Sequence, residues 1–239
     1  STRSSASTDP AACCAARSAG WIRGSTWGEV AVDVLRAIGT RSALRALGRI
    51  ADRWATWAIG RRAAEALGAI ARRRGLTQAQ LADRILPDAG LPPSGQRILD
   101  FGPRQFTARL TPALELQVVD AAGAVRKGLP RRAKADVPER VAAARGALKE
   151  VEAALRGARP AVIAHLERAL AAGGRWAPPD FRAFVLDHPL LARAAPSLVW
   201  GRYADGALVA AGLLDGAGTL RGLDGEPAAA APDAGWGLV

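Results

Sequence analysis

The spacing of apolar residues changes three times along this chain, and each change dictates a different secondary structure. From Glu29 to about Leu86 apolar residues recur every three or four positions, as one face of a helix requires. From Ile98 to Arg126 they recur every second position, as in strands with one buried face. Helical spacing returns at Pro138, and alternation returns between Ser197 and Leu213. Helices and strands that fall in separate blocks predict an α+β fold, mainly helical.

In the first block Val30, Val34, Leu35 and Ile38 predict one inward face, with Gly39 as the stop. Thr40 can cap the next helix, which carries Leu44, Leu47, Ile50 and Trp54. A third helix over 57–73 turns Ala63, Leu67 and Ile70 inward and stops at Gly75. Thr77 and Gln80 have the spacing of a capping box, and their helix ends before Pro87. A short helix, a tight Gly-Thr turn and a longer helix make a HEAT-like helical hairpin. Stacked hairpins share a core, and about three are needed for stability. Fewer than two are visible, and the chain has no methionine. Both features predict a fragment from the C-terminal end of a longer protein.

In the second block strands are expected over 98–101, 105–110 and 115–120, with a turn at 121–123 into a fourth at 124–126. Residues 127–137 read as a basic linker. The long helical region of 138–172 carries an apolar stripe of Val141, Leu148, Val151, Leu155, Val162, Leu166 and Leu170. Pro160 predicts a kink or break within it. Asp205-Gly206 between two alternating runs is a strong hairpin signal. Neither strand group is large enough to be stable alone. The economical architecture is one small antiparallel sheet packed on the long helix. Phe101, Phe106, Val118 and Trp200 would then share a core with Leu148, Leu155 and Leu166. The expected divisions are a poorly ordered segment 1–28, HEAT-like helical hairpins over 29–90, an α+β module over 91–225 and a flexible tail over 226–239. Trp21 and Trp27 are expected to dock on the first helix.

Charge needs composition to interpret. The chain has 55 Ala, 30 Arg and only 3 Lys, the bias of a GC-rich coding sequence, and this inflates the net charge of +11. The clusters Arg72, Arg73, Arg74 and Arg131, Arg132 are the candidate polyanion-binding residues. A helix C-terminus also attracts cations, which accounts for the first cluster without a ligand. The stretch from Tyr203 to Val239 is acidic.

No catalytic, cofactor-binding or metal-ligating set stands out. Cys13 and Cys14 are adjacent, so they lack zinc-site spacing and cannot frame a disulfide network. Phosphate-binding glycine motifs are absent. Asp187-His188-Pro189 offers a carboxylate beside an imidazole, but His188 reads as the end of a helix, bonding its last carbonyls. Trp200-Gly201-Arg202 matches a tripeptide of DNA-end-binding domains, yet its setting is a hairpin strand. No apolar run spans a membrane and no signal-peptide core is present, so no membrane partner and a cytoplasmic location are expected.

Several ordered stretches, including Leu99-Asp100-Phe101-Gly102-Pro103-Arg104-Gln105-Phe106-Thr107, Asp187-His188-Pro189-Leu190-Leu191 and Leu198-Val199-Trp200-Gly201, resemble the bacterial MolR-like proteins. These are the domain of unknown function 4132 family. The resemblance runs from about residue 30 to 225, and the ordered set carries it rather than any one motif. It implies HEAT-like helices ahead of the module and supplies no catalytic residues. The terminus Trp236-Gly237-Leu238-Val239 departs from the family's ending. The expected function is a non-catalytic interaction or regulatory module with protein partners, its own missing N-terminal repeats among them, and no cofactor. The alternatives are a nucleic-acid-associated protein using Arg-rich helical surfaces, or part of an enzyme whose site lies in the missing N-terminal region.

Overall fold

Among the described residues, four helices build the first unit: α1 (Thr26–Ile38), α2 (Arg41–Arg53), α3 (Ala58–Arg73) and α4 (Gln78–Ile85). In the computed structural model the described residues are 26–222, 224–228 and 233–239. They divide into two units between Leu86 and Pro87. Residues 1–25, with Cys13, Cys14 and Trp21, lie outside the described residues.

The turn between α1 and α2 follows from its residues. Gly39 adopts φ +61°, which a side chain would resist, and the Thr40 hydroxyl accepts the Ala43 N–H. Thr77 and Gln80 form both bonds of the capping box at the start of α4. Leu44, Leu47, Ile50 and Ile70 are buried in one core, with Leu67 packed against it. Arg45 closes the far end of α4 by donating to the carbonyls of Ile85 and Leu86 at 2.7 and 2.8 Å.

The first helix corrects the expected stripe. Val32 and Leu35 are fully buried, whereas Val30, Val34 and Ile38 are 40–50% exposed. Helix α1 is apolar on two adjacent faces, and spacing alone does not say which one meets α2 and α3. Trp27 does not dock inward either; it is 68% exposed.

Among its described residues the second unit contains two sheets rather than the one expected. Strands β1 (Gln96–Asp100), β2 (Gln105–Leu110), β3 (Leu116–Asp120) and β4 (Val125–Arg126) form an antiparallel meander in chain order. Helix α5 (Pro138–Ala171) follows, then a single turn α6 (Pro178–Phe181) that passes into a π-turn over Arg182–Leu186. A short helix α7 (Leu191–Ala194) leads to β5 (Val199–Ala204), β6 (Ala207–Leu214), β7 (Leu220–Arg221) and β8 (Gly235–Leu238). These last strands form a second antiparallel sheet in the order β7-β6-β5-β8.

Each sheet has its own aromatic core. Phe101 and Phe106 meet edge to face at 5.0 Å, among Leu99, Val118, Val141 and Ala144. Trp200 is fully buried elsewhere, edge-on to Phe181 at 4.9 Å and to Trp176 at 5.9 Å. Its indole N–H donates to the Ala195 carbonyl. The expected shared core is therefore wrong. The reason is length: α5 has 34 residues, enough for its first half to cover β1 while its second half reaches β8.

Helix α5 also runs through Pro160 without ending. Pro160 and Arg156 are both exposed, so water can bond the Arg156 carbonyl that proline leaves without a donor. The expected tail over 226–239 is corrected at its end; residues 229–232 of it lie outside the described residues. Gly235–Leu238 pairs with β5, Trp236 opposite Arg202, and the Trp236 ring stacks flat on Phe181 at 4.3 Å. Asp205 (φ 51°) and Gly206 (φ 80°) form the left-handed turn that the β5–β6 hairpin demands.

Candidate functional site

The polar groups that drew attention in the sequence have structural partners. His188 is buried, and its Nδ1 accepts the N–H groups of Leu190 and Leu191, both at 3.3 Å. It caps the turn that follows instead of closing the helix before it, which corrects the expected role. Asp187 is exposed.

The Trp200-Gly201-Arg202 tripeptide is accounted for by packing. Trp200 points into the core, and Arg202 lies over the Trp236 ring at 4.6 Å. A Cβ on Gly201 would stand 2.6 Å from Leu208 Cδ1 and 2.7 Å from Tyr203 Cε2, so those side chains occupy the space over this glycine. Among the described residues no cluster of three His, Cys, Asp or Glu is placed to hold a metal ion. No helix among them is long and apolar enough to cross a membrane.

The two arginine clusters fall on different units. In the first unit α1 and α3 run side by side in the same direction: Gly28 lies against Ile59, and Arg62 pairs with Asp33 at 2.7 Å and Glu29 at 3.4 Å. The Asp33 bond raises the Arg62 pKa above its usual value. This alignment brings Arg36 to Arg72 and Arg73 around an open hollow of about 550 Å³, floored by Ala37 and Ala69. Arg74 is directed elsewhere and donates to the Gly39 carbonyl at 2.9 Å. Sequence spacing could not place Arg36 in the set, because it depends on the pairing of two helices.

Arg131 and Arg132 are exposed, on the 127–137 segment of the second unit. The carbonyls of that segment are held: Arg145 donates to Pro130 at 2.9 Å, and Arg104 to Arg131 at 3.2 Å. Arg104 also binds both carboxylate oxygens of Asp136. Those bonds hold the Asp136 carboxyl below the usual aspartate range, against the opposing effect of burial. In the acidic stretch after Tyr203, Asp215 is similarly lowered, first by the Thr219 N–H and further by Ala217 and Arg221.

The feature that sequence reasoning missed is apolar. The second half of α5, the 112–114 turn, the start of β5 and the end of β8 enclose a groove of about 360 Å³. Leu114, Ile163, Leu166, Leu170, Leu198 and Val199 supply most of its wall. Arg159 and Glu167 are its charged residues. The groove opens onto the outer face of the second sheet, where Val199 and Leu213 pair across strands while 46% and 47% exposed. Leu170, expected on the apolar stripe of α5, is 52% exposed. The stripe simply outruns the sheet beneath it.

No solved structure matches this chain. Over 176 residues, 72% of its length, it is 34% identical to the uncharacterized protein YehI of Escherichia coli (strain K12). That stretch is 14% of the relative, so the chain spans a small part of the protein it resembles. The stretch that builds α5, the second sheet and most of the groove, residues 123–239, matches the family described as "Domain of unknown function (DUF4132)".

Proposed function

We propose that this chain is a non-catalytic interaction module of a longer, MolR-like bacterial polypeptide, and that its apolar groove receives aliphatic side chains of a protein segment. One observation carries the reading: Ile163, Leu170, Val199 and Val239 are 42–53% exposed along one continuous groove and sheet face. Apolar surface left open in this way is a mark of a docking site. The chemistry of the walls selects the occupant. Aliphatic side chains dominate, and Arg159 and Glu167 offer one charge of each sign to the polar groups of a peptide. The greater length of the E. coli relative supplies a ready source, a segment of the same long polypeptide. The helical hairpins of the first unit fit a HEAT-type array in that setting, and the exposed Val30, Val34 and Ile38 would take a neighbouring hairpin.

The test is thiol accessibility. Val199→Cys is placed in a background where Cys13 and Cys14 are Ser. Maleimide should label the purified chain rapidly and should label the same variant in cells at least about tenfold more slowly. Equal rates in the two settings would sink the proposal, as would turnover of any substrate by the purified chain in a broad hydrolase and nucleotidyl-transfer screen.

A further inference from the structure

We infer that the hollow between the C-terminal ends of α1 and α3 is a seat for the phosphates of a nucleic-acid backbone, independent of the groove in the second unit. Residues 26–86 carry eleven arginines against five carboxylates. Most of those arginines have partners within the unit. Arg41 and Arg45 bond the end of α4, Arg61 bonds the Thr56 carbonyl, Arg62 pairs with Asp33 and Glu29, Arg74 bonds Gly39, and Arg84 bonds the Gln80 carbonyl. Arg72 and Arg73 have no such partner among the described residues, and both are exposed. Arg36 faces them and makes a long 3.7 Å contact with Asp33.

The dipole explanation for these cations is incomplete. The last carbonyls of α3 are already satisfied by backbone: Arg74 N–H bonds Ile70 and Ala71, Gly75 N–H bonds Arg72, and Leu76 N–H bonds Ala71. The Arg72 and Arg73 side chains are therefore not needed as caps. Two helix C-termini contribute roughly half a negative charge each. Three guanidinium groups outweigh them, and the hollow remains positive.

The lining decides the ligand. Ala37 and Ala69 give a low floor, and among the described residues no carboxylate, aromatic or large aliphatic side chain lines the hollow. An acidic protein partner would want an apolar anchor there, and base stacking would want an aromatic ring. What remains is guanidinium chemistry, which suits phosphate oxygens and carries no sequence information. The predicted mode is sequence-independent contact with about three phosphates.

The experiment is fluorescence anisotropy of the full chain with a labelled duplex DNA of about 25 base pairs, from 25 to 200 mM salt. Binding at low salt should weaken linearly on a log–log plot, each phosphate contact adding about 0.9 to the slope. Arg72→Ala with Arg73→Ala should lower the slope by about 1.8 and weaken binding at 50 mM salt by about tenfold or more. Arg131→Ala with Arg132→Ala should leave both unchanged. A circular-dichroism melt identical to the parent shows that the double variant is folded, as the exposure of both side chains leads one to expect. No binding at 25 mM salt overturns the inference. So does an unchanged slope in the Arg72/Arg73 variant, or competition by polyglutamate as effective as unlabelled duplex at equal charge.

Discussion

Arg104 and Asp136, 32 residues apart, form a two-armed ion pair in which Nε donates to Oδ1 at 3.0 Å and Nη2 to Oδ2 at 2.5 Å. The Asp136 side chain has no exposed surface. The guanidinium lies 5.7 and 5.6 Å from the Phe101 and Phe106 rings, so one arginine ties the 127–137 segment to the core of the first sheet.

The pair makes stability depend on acid. Arg104, with help from the Ala133 N–H, lowers the Asp136 pKa. A carboxyl lowered by folding stabilises the fold above its unfolded value and loses that contribution as pH falls through the folded value. This contribution is intact at neutral pH and declines below about pH 4. Asp136→Asn should flatten the acid limb of a stability curve measured by thermal melts from about pH 3 to 7. Arg104→Ala should lower Tm at pH 7, because it leaves a buried carboxylate without its cation. An unaltered acid limb in the Asn variant would contradict this account.

Leu47 is fully buried in the seam of α2. Leu47→Asp places an unpaired charge there and should cost at least about 3 kcal/mol, enough to melt the helical unit. Far-ultraviolet circular dichroism reports it directly; a parent-like melt would mean that this face is not the core.

Two glycines of the helical unit should respond oppositely to alanine. A Cβ on Gly60 would stand 1.9 Å from the Trp54 carbonyl oxygen, and backbone cannot step aside cheaply. A Cβ on Gly48, within α2, would meet nothing within 4 Å. Gly60→Ala should destabilise strongly, and Gly48→Ala should stabilise by roughly 0.5–1 kcal/mol through helix propensity. Denaturant titration of the pair decides it; equal shifts would refute the packing described.

The aromatic stack of the second sheet should depend on its last strand. Trp236→Ala removes the ring against Phe181 and should cost about 3–5 kcal/mol. Tryptophan emission should move to the red as Trp200 gains water. An unshifted emission maximum would show that β8 is dispensable to that core.

What was legible in the sequence was local. Thr77 with Gln80, and Asp205 with Gly206, state their structures within four residues, because a cap or a turn is fixed by its own side chains. What was not legible depended on distant partners. Gly235–Leu238 is short and rich in glycine, and it becomes a strand only because β5 offers an open edge. Val30, Val34 and Ile38 have correct helical spacing, yet a second apolar face on α1 took the inward position. Arg72 and Arg73 were visible as a cluster, while Arg36 joined them only through the parallel packing of α1 on α3. The groove was invisible for the same reason, since its walls come from four separate parts of the chain.

The position of β8 beside β5 also orders events in time. Trp200 leaves the ribosome well before Trp236, and the stacked face of Phe181 stays open until Trp236 arrives. A nascent chain stopped short of residue 235 therefore holds β5 with an unpaired edge and an uncovered aromatic core, the kind of surface on which neighbouring nascent chains aggregate. The second sheet closes only after that strand has been synthesised, so the rate of elongation through residues 205–238 sets how long this surface is left to chaperones.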